Sequence, residues 1–127
     1  MKKLEITDKM YNRYIILLIG GDGKELEKYL YEKYNAKKDA DNINAGYTQI
    51  KDDGKCDKHI IWMPEFDWTI KDQATMSHEI FHLVCGCMED IDIQYSNESE
   101  EAFAYYYGYI FAQIWDKLKP KKNKKKK

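Results

Sequence analysis

The sequence predicts an α+β fold, in which a small mixed sheet of three or four strands packs against two long helices and one additional N-terminal helix. Two patterns support this fold class. Short runs of β-branched and aromatic residues end in glycine-rich or polar turns, as strands do. Three longer segments instead repeat their apolar residues every three or four positions, which is the spacing of a helix with one buried face.

The first strand and the first helix are predicted from residues 11–34. Residues 11–19 are rich in β-branched and aromatic side chains and stop at the turn Gly-Gly-Asp-Gly of residues 20–23. Residues 24–34 then have a helical pattern with charges on the outer face. The inner face consists of Leu26, Tyr29, Leu30 and Tyr34. We therefore expect this helix to pack back on the strand.

A β-hairpin is predicted next, after a polar loop at residues 35–45. Residues 46–50 and 58–63 flank the turn sequence Lys-Asp-Asp-Gly of residues 51–54, and Pro64 ends the second strand. His59 opens this strand, and a single histidine there is interpreted as a surface or hydrogen-bonded residue. If residues 59–63 form an exposed edge, they could bind an extended polypeptide by backbone pairing.

Two long helices complete the predicted fold. Thr69 and Asp72 have the spacing of an N-terminal cap, and the helix that follows runs to about Met88. Asn97 and Glu100 have the same spacing at the start of the last helix. That helix continues through residue 118, because a proline and a lysine run follow.

Length and charge predict one domain, residues 1–118, followed by a disordered basic tail, residues 119–127. A chain of 127 residues suits a single hydrophobic core. Residues 117–127 carry eight lysines and no acid, so the rest of the chain has 13 basic and 22 acidic residues. Contact with nucleic acid is expected only through the tail, for which a solvated state is the simpler interpretation.

The apolar segments and the cysteines predict a reduced, intracellular environment. The longest apolar run, residues 14–19, is far shorter than a membrane-spanning helix, and the N-terminus has no secretory signal segment. Cys56, Cys85 and Cys87 are odd in number, and the last two are separated by one residue only. We therefore interpret all three as reduced structural thiols instead of metal ligands.

A zinc-binding motif, His-Glu-Ile-Phe-His, lies inside the first long helix. His78 and His82 are four residues apart, so both imidazoles lie on one face and can bind the same ion. Glu79 between them can accept a proton from zinc-bound water and pass it to a leaving amine, as in metal-assisted peptide hydrolysis. The alternative is a pair of ordinary helical histidines, one packed and one exposed.

A catalytic zinc site needs a third protein ligand, and the last helix offers three glutamates in its first turns. Glu98 and Glu100 are interpreted as capping acids near the positive end of the helix dipole. Glu101 belongs instead to a stripe with Tyr105, Gly108 and Ala112, whose small residues would let two helices approach closely. The stripe therefore favours Glu101 as the third ligand.

These residues resemble the thermolysin-like gluzincins, in which a second helix about twenty residues beyond the motif donates a glutamate followed by alanine. Here Glu101 precedes an alanine and lies nineteen residues after His82. The resemblance implies that His78, His82 and Glu101 bind Zn²⁺ and that Glu79 is the general base. Tyr105 occupies the position of a family aspartate, so a carboxylate that orients a ligand histidine must come from elsewhere or be absent. Tyr105 could instead donate a hydrogen bond to a developing oxyanion.

Nearly the whole chain also resembles small phage-encoded proteins with a zincin-type helix. The matching segments are residues 60–64, 78–82 and 100–109. This resemblance implies a zinc peptidase in the host cytoplasm or the virion, with a polypeptide substrate. The alternative is a zinc-stabilised structural or binding protein that acts on a protein partner in phage assembly or against a host factor. The small size favours that alternative, because little chain remains to build a deep substrate pocket.

Overall fold

The computed structural model describes residues 1–38, 45–52 and 54–119. In this part of the chain four strands and three helices are found. In order they are β1 (Lys2–Thr7), β2 (Tyr14–Ile19), α1 (Gly23–Tyr34), β3 (Gly46–Asp52), β4 (Lys55–Met63), α2 (Ile70–Asp90) and α3 (Glu100–Leu118). The α+β class and the three helices are as predicted.

The four strands form one mixed sheet in the order β1-β2-β4-β3. β1 is antiparallel to β2, β2 is parallel to β4, and β3 is antiparallel to β4. The sheet therefore has four strands, and β1 is the one without a specific prediction. Only Ile6 is buried in β1, because this strand lies at an edge of the sheet. Its sequence consequently lacks the apolar run that announces the central strands.

The condition under which residues 59–63 could bind a polypeptide, namely an exposed edge strand, is not met. β4 lies inside the sheet, where Ile61 pairs with Leu17 of β2 on one side and with Tyr47 of β3 on the other. The backbone groups of this segment are therefore used within the sheet. Since β1 and β3 are the two edge strands, an extended polypeptide cannot pair directly with β4.

The two faces of the sheet carry separate cores, because neighbouring strand residues point to opposite sides. One face packs against α1, and the other packs against α2 and α3. The α1 side contains Ile16, Leu18, Leu26, Leu30, Ile50, Ile60 and Trp62. The central strand residues on the other side are Ile15, Leu17, Ile61 and Met63. Helices on both faces explain why β2 is a continuous apolar run.

The turn between β1 and β2 is organised by the buried carboxylate of Asp8. Its oxygens accept hydrogen bonds from three backbone N–H groups of the turn. They also accept a bond of 2.7 Å from the hydroxyl of Tyr106 in α3. Tyr11 belongs to this turn, so β2 begins at Tyr14 and not at residue 11 as predicted.

The starts of the two long helices differ in how well the sequence predicts them. The Thr69 side chain accepts from the backbone N–H of Asp72 at 3.0 Å, which confirms the predicted cap of α2. The N-cap position of α3 is Ser99, so the predicted start at Asn97 is wrong. Ser96 and Ser99 hydrogen-bond to each other and close a tight turn that contains Asn97.

Parts of the predicted loop, hairpin turn and tail cannot be compared with the structure. Residues 39–44 of the predicted loop, residue 53 of the hairpin turn and residues 120–127 of the predicted tail lie outside the described residues. Within the described part of the chain, no helix combines the length and the apolar character needed to cross a membrane.

Candidate functional site

The two histidines of the predicted metal motif lie one turn apart on α2. The Nε2 atoms of His78 and His82 are 3.2 Å apart, and their ring centroids are 4.8 Å apart in an edge-on arrangement. Both side chains are exposed, so this pair does not consist of one packed and one exposed histidine. The helical spacing thus brings both imidazoles to one point at the surface.

The separation of these nitrogens suits a shared zinc ion. Two nitrogen ligands at about 2.0–2.1 Å from a tetrahedral zinc ion are about 3.4 Å apart. The observed 3.2 Å between the Nε2 atoms of His78 and His82 is close to that distance. The two imidazoles can therefore supply two corners of a tetrahedral site without a change in the backbone of α2.

Glu79 differs from the two histidines in its surroundings. Its side chain is only 8% exposed, whereas His78 and His82 face the solvent. The adjacent Ile80 belongs to the core between α2 and the sheet. Glu79 therefore lies at the boundary between the exposed imidazoles and the core, where little bulk water competes for its carboxylate.

Glu101 and Tyr105 lie on the solvent side of α3. Tyr105 is 70% exposed, Glu101 is exposed, and a Cβ added at Gly108 would meet nothing within 4 Å. The expectation that this stripe packs closely against α2 is wrong. α3 instead buries its larger apolar face, because that burial removes more surface from water. That face consists of Phe103, Tyr106, Ile110 and Ile114.

The structure does not bring Glu101 to the histidine pair. Among the described residues, one group of three potential ligands has its donor atoms all within 4.8 Å of one another, and it contains none of His78, His82 and Glu101. α3 approaches the motif helix through Tyr107, whose hydroxyl donates to the backbone carbonyl of Ser77 at 3.2 Å. The third ligand of the predicted zinc site therefore stays a prediction.

A second cluster surrounds the buried His59 next to the C-terminal end of α2. His59 is 1% exposed, and its Nδ1 lies 2.6 Å from the hydroxyl of Tyr47 on β3. Its Nε2 lies 2.6 Å from Oδ2 of Asp90, the last residue of α2. Gln49 donates to the Tyr47 hydroxyl at 2.8 Å. The prediction that His59 is a hydrogen-bonded residue is confirmed, and these bonds connect β3, β4 and α2.

Cys56 and Arg13 complete the cluster on the side that faces solvent. Sγ of Cys56 is 3.4 Å from Nε2 of His59, and Arg13 donates to Oδ2 of Asp90 at 3.2 Å. Cys56, Arg13 and Asp90 line a cleft of about 550 Å³, together with Gln49, Lys51, Gly54, Lys55 and Glu89. The cluster therefore has His59 buried at its inner end and is open to solvent at the cleft.

Burial controls the protonation of these groups. It lowers the pKa of His59 below the ordinary value of 6.5, against the opposing effect of the hydrogen bond to Asp90. It also raises the pKa of the Cys56 thiol to about 11, and the negative charge of Asp90 adds to this effect. His59 is therefore a neutral imidazole and Cys56 a protonated thiol near neutral pH.

Reasoning from the sequence did not identify the cluster around His59. His59 lies two and four residues before the core residues Ile61 and Met63, so strand alternation could have placed it toward α2. The partners Asp90 and Cys56 carry no such signal. Asp90 ends a helix, and Cys56 is three residues from His59, which in a regular strand means opposite faces.

Comparison with protein-family models, with curated proteins and with solved structures finds none that is similar to this chain. The gluzincin-like and phage-protein resemblances therefore remain predictions from the motif residues.

Proposed function

We propose that this protein is a zinc-dependent peptidase in which His78 and His82 bind the metal and Glu79 is the general base. The observation that supports the proposal most directly is the 3.2 Å separation of the two Nε2 atoms on α2. A zinc ion bound there would supply a Lewis acid and lower the pKa of a water ligand to about 7.

The residues of α2 have separate tasks in this proposal. His78 and His82, both exposed, bind and orient the ion at the surface. Glu79, with its side chain 8% exposed, accepts a proton from water and returns it to the leaving amine. The low exposure of Glu79 limits the bulk water that could compete with this proton transfer.

The third ligand is the most demanding part of the proposal. Glu101 is the residue proposed for this task, but its carboxylate is exposed and does not form a three-ligand group with the histidines. Zinc binding by all three residues therefore requires the Glu101 carboxylate to approach the two imidazoles. Tyr105, one turn beyond Glu101 on the exposed side of α3, is proposed to donate a hydrogen bond to the oxyanion.

A zinc-stabilised binding protein is the second candidate function. It is favoured by an exposed aromatic side chain close to the proposed metal. Phe81 is 49% exposed, and its ring centroid is 6.4 Å from that of His82. Aromatic residues of this kind are enriched at protein interfaces. In this candidate function the metal would hold a surface that contacts a protein partner.

Glu79→Gln separates the two functions. If the protein is a peptidase, the variant keeps its zinc and loses hydrolysis of an unfolded, fluorescently labelled polypeptide by about 100-fold or more. Glu98→Gln, at an exposed glutamate outside the motif, is the control for the loss of one carboxylate and keeps full activity. Hydrolysis that persists in Glu79→Gln would exclude the proposed role of Glu79.

A pair of metal-binding measurements tests the ligands. His78→Ala combined with His82→Ala should remove the zinc that the wild-type chain binds at this position. Glu101→Gln should weaken that binding by at least about tenfold if its carboxylate is a ligand, whereas the neighbouring Glu100→Gln should leave it unchanged. Equal affinities for the Glu101 and Glu100 variants would exclude Glu101 as the third ligand.

A further inference from the structure

A β-bulge places Cys56 and His59 on the same face of the sheet. Ile50 of β3 pairs with Lys58, but the next residue, Lys51, pairs with Cys56, so β4 contains one extra residue at this point. The extra residue reverses the alternation of side chains between residues 56 and 59. Cys56 Sγ consequently lies 3.4 Å from His59 Nε2, although the two residues are an odd number of positions apart.

Asp90 brings a third ligand type to the same point from a different element. Its Oδ2 lies 2.6 Å from His59 Nε2, and the donor atoms of Cys56, His59 and Asp90 all lie within 4.8 Å of one another. The separation of 3.4 Å between sulfur and nitrogen already suits two ligands of one ion. The carboxylate would exchange its hydrogen bond to His59 for a bond to that ion.

The groups around the three residues hold them in orientations that suit metal binding. Tyr47 bonds to Nδ1 of His59 at 2.6 Å and leaves Nε2 directed at Cys56 and Asp90. A hydrogen-bonded second nitrogen of this kind orients and tunes a metal-bound histidine. Arg13 contacts Oδ2 of Asp90, and a carboxylate has a second oxygen that can bind a metal while this contact persists.

We propose that Cys56, His59 and Asp90 form a binding site for one zinc ion, separate from the histidine pair of α2. A thiolate, an imidazole and a carboxylate match the preferences of zinc and exclude magnesium and calcium, which prefer oxygen ligands alone. Asp90 is eight residues beyond His82 on the same helix, so the two sites are about 12 Å apart along the axis.

The fourth position of this zinc site faces the cleft of about 550 Å³ that Cys56 and Asp90 line. Arg13, Lys51 and Lys55 also line this cleft, so the fourth ligand is water or a small anion. Binding of the ion involves two proton movements. The Cys56 thiol loses its proton to solvent as the sulfur binds the ion. At the same time His59 moves its own proton from Nε2 to Nδ1, where the hydroxyl oxygen of Tyr47 accepts it in a hydrogen bond.

Cobalt(II) tests this site through the sulfur of Cys56, and a Cys85→Ser control is needed because the half-buried Cys85 lies three residues after His82 on α2. The full-length chain is stripped of metal with a chelator and titrated with Co²⁺ under reducing conditions. Wild type should develop a thiolate-to-cobalt charge-transfer absorption that saturates as Co²⁺ is added and disappears when excess Zn²⁺ is added. Cys56→Ser should lose the band, while Cys85→Ser, a control at another half-buried cysteine, should keep it.

Two further variants extend the test. His78→Ala combined with His82→Ala should retain the sulfur band, which separates the outcome of this proposal from that of the peptidase. Tyr47→Phe should weaken binding by roughly 10–100-fold, as expected when the partner of a ligand histidine is removed. Absence of the band in wild type, or its persistence in Cys56→Ser, would overturn the proposed site whatever the histidine pair binds.

Discussion

Gly86 of α2 lies directly against the hydroxyl of Tyr47 on β3. A Cβ added at Gly86 would overlap that hydroxyl and would also lie 2.9 Å from Nε2 of Gln49. Tyr47 cannot easily move away, because its hydroxyl is bonded to both His59 and Gln49. The absence of a side chain at residue 86 is thus what allows the helix to approach the sheet at the polar cluster.

Gly86→Ala should therefore destabilise the protein. Overpacking at a filled site costs about 1–3 kcal/mol, and the higher helix propensity of alanine recovers up to about 1 kcal/mol. We expect a net loss of up to about 2 kcal/mol in the free energy of unfolding, because the added Cβ would overlap the Tyr47 hydroxyl. Urea denaturation followed by circular dichroism measures this loss, and a stability equal to or above that of wild type would contradict the observed contact.

Gly108→Ala should have the opposite effect. Gly108 lies within α3, and a Cβ there meets nothing within 4 Å. Only the helix propensity then changes, so the variant should gain about 1 kcal/mol of stability in the same urea experiment. A loss of stability would show that this side of α3 packs against another element, as the stripe in the sequence had suggested.

Tyr106→Phe should remove a hydrogen bond to a buried charge. Tyr106 is fully buried, and its hydroxyl donates to Oδ2 of Asp8 at 2.7 Å. A hydrogen bond to a charged group contributes about 1.5–3 kcal/mol, and we expect a destabilisation in this range. Tyr105→Phe is the matched control, since its side chain is 70% exposed and should change stability by less than about 0.5 kcal/mol. Similar losses in both variants would contradict this account of Asp8.

The stability of the metal-free protein should fall as the solution becomes more acidic. Burial lowers the pKa of His59 in the folded state, so below about pH 6.5 the unfolded chain binds a proton more readily than the folded chain. This one group can contribute a slope of up to about 1.4 kcal/mol per pH unit until the folded-state pKa is reached. Above about pH 6.5 its contribution no longer depends on pH.

His59→Gln is the comparison for this pH dependence. Unfolding in urea is measured between about pH 8 and about pH 5 with a chelator present. His78 and His82 are present in both proteins, so their contributions to stability cancel in the comparison. The stability difference between wild type and His59→Gln should shrink as the pH is lowered. Parallel curves would show that the pKa of His59 is not lowered by folding.

The sequence predicts those parts of the fold that depend on apolar periodicity and on local turns. The continuous apolar run of β2 and the capped start of α2 at Thr69 belong to this group. β1 has one buried residue, Ile6, and so gives no such pattern. The direction that α3 faces was also unpredictable from small residues alone, because the bulkier apolar face was buried instead.

The candidate sites also differ in whether local sequence patterns or tertiary packing bring their residues together. His78 and His82 are brought together by one turn of helix, so their spacing in the sequence is sufficient to predict their contact. The placement of Glu101 depends on how two helices pack, which no local pattern determines. The contact between Cys56 and His59 depends on a bulge in β4, and such an irregularity leaves no mark in the alternation of the sequence.

The parallel pairing of β2 with β4 also determines how the chain can assemble. Two antiparallel pairs, β1 with β2 and β3 with β4, consist of strands that are neighbours in the sequence. The parallel pair is different, because α1 and β3 lie in the sequence between residues 15–19 and residues 59–63. The chain loses conformational entropy when these distant residues come together, and the contact stabilises the fold only after that loss. The two antiparallel pairs can form early as local units. We therefore expect the docking of one unit onto the other to be the slow step, which brings together the strand residues of both cores.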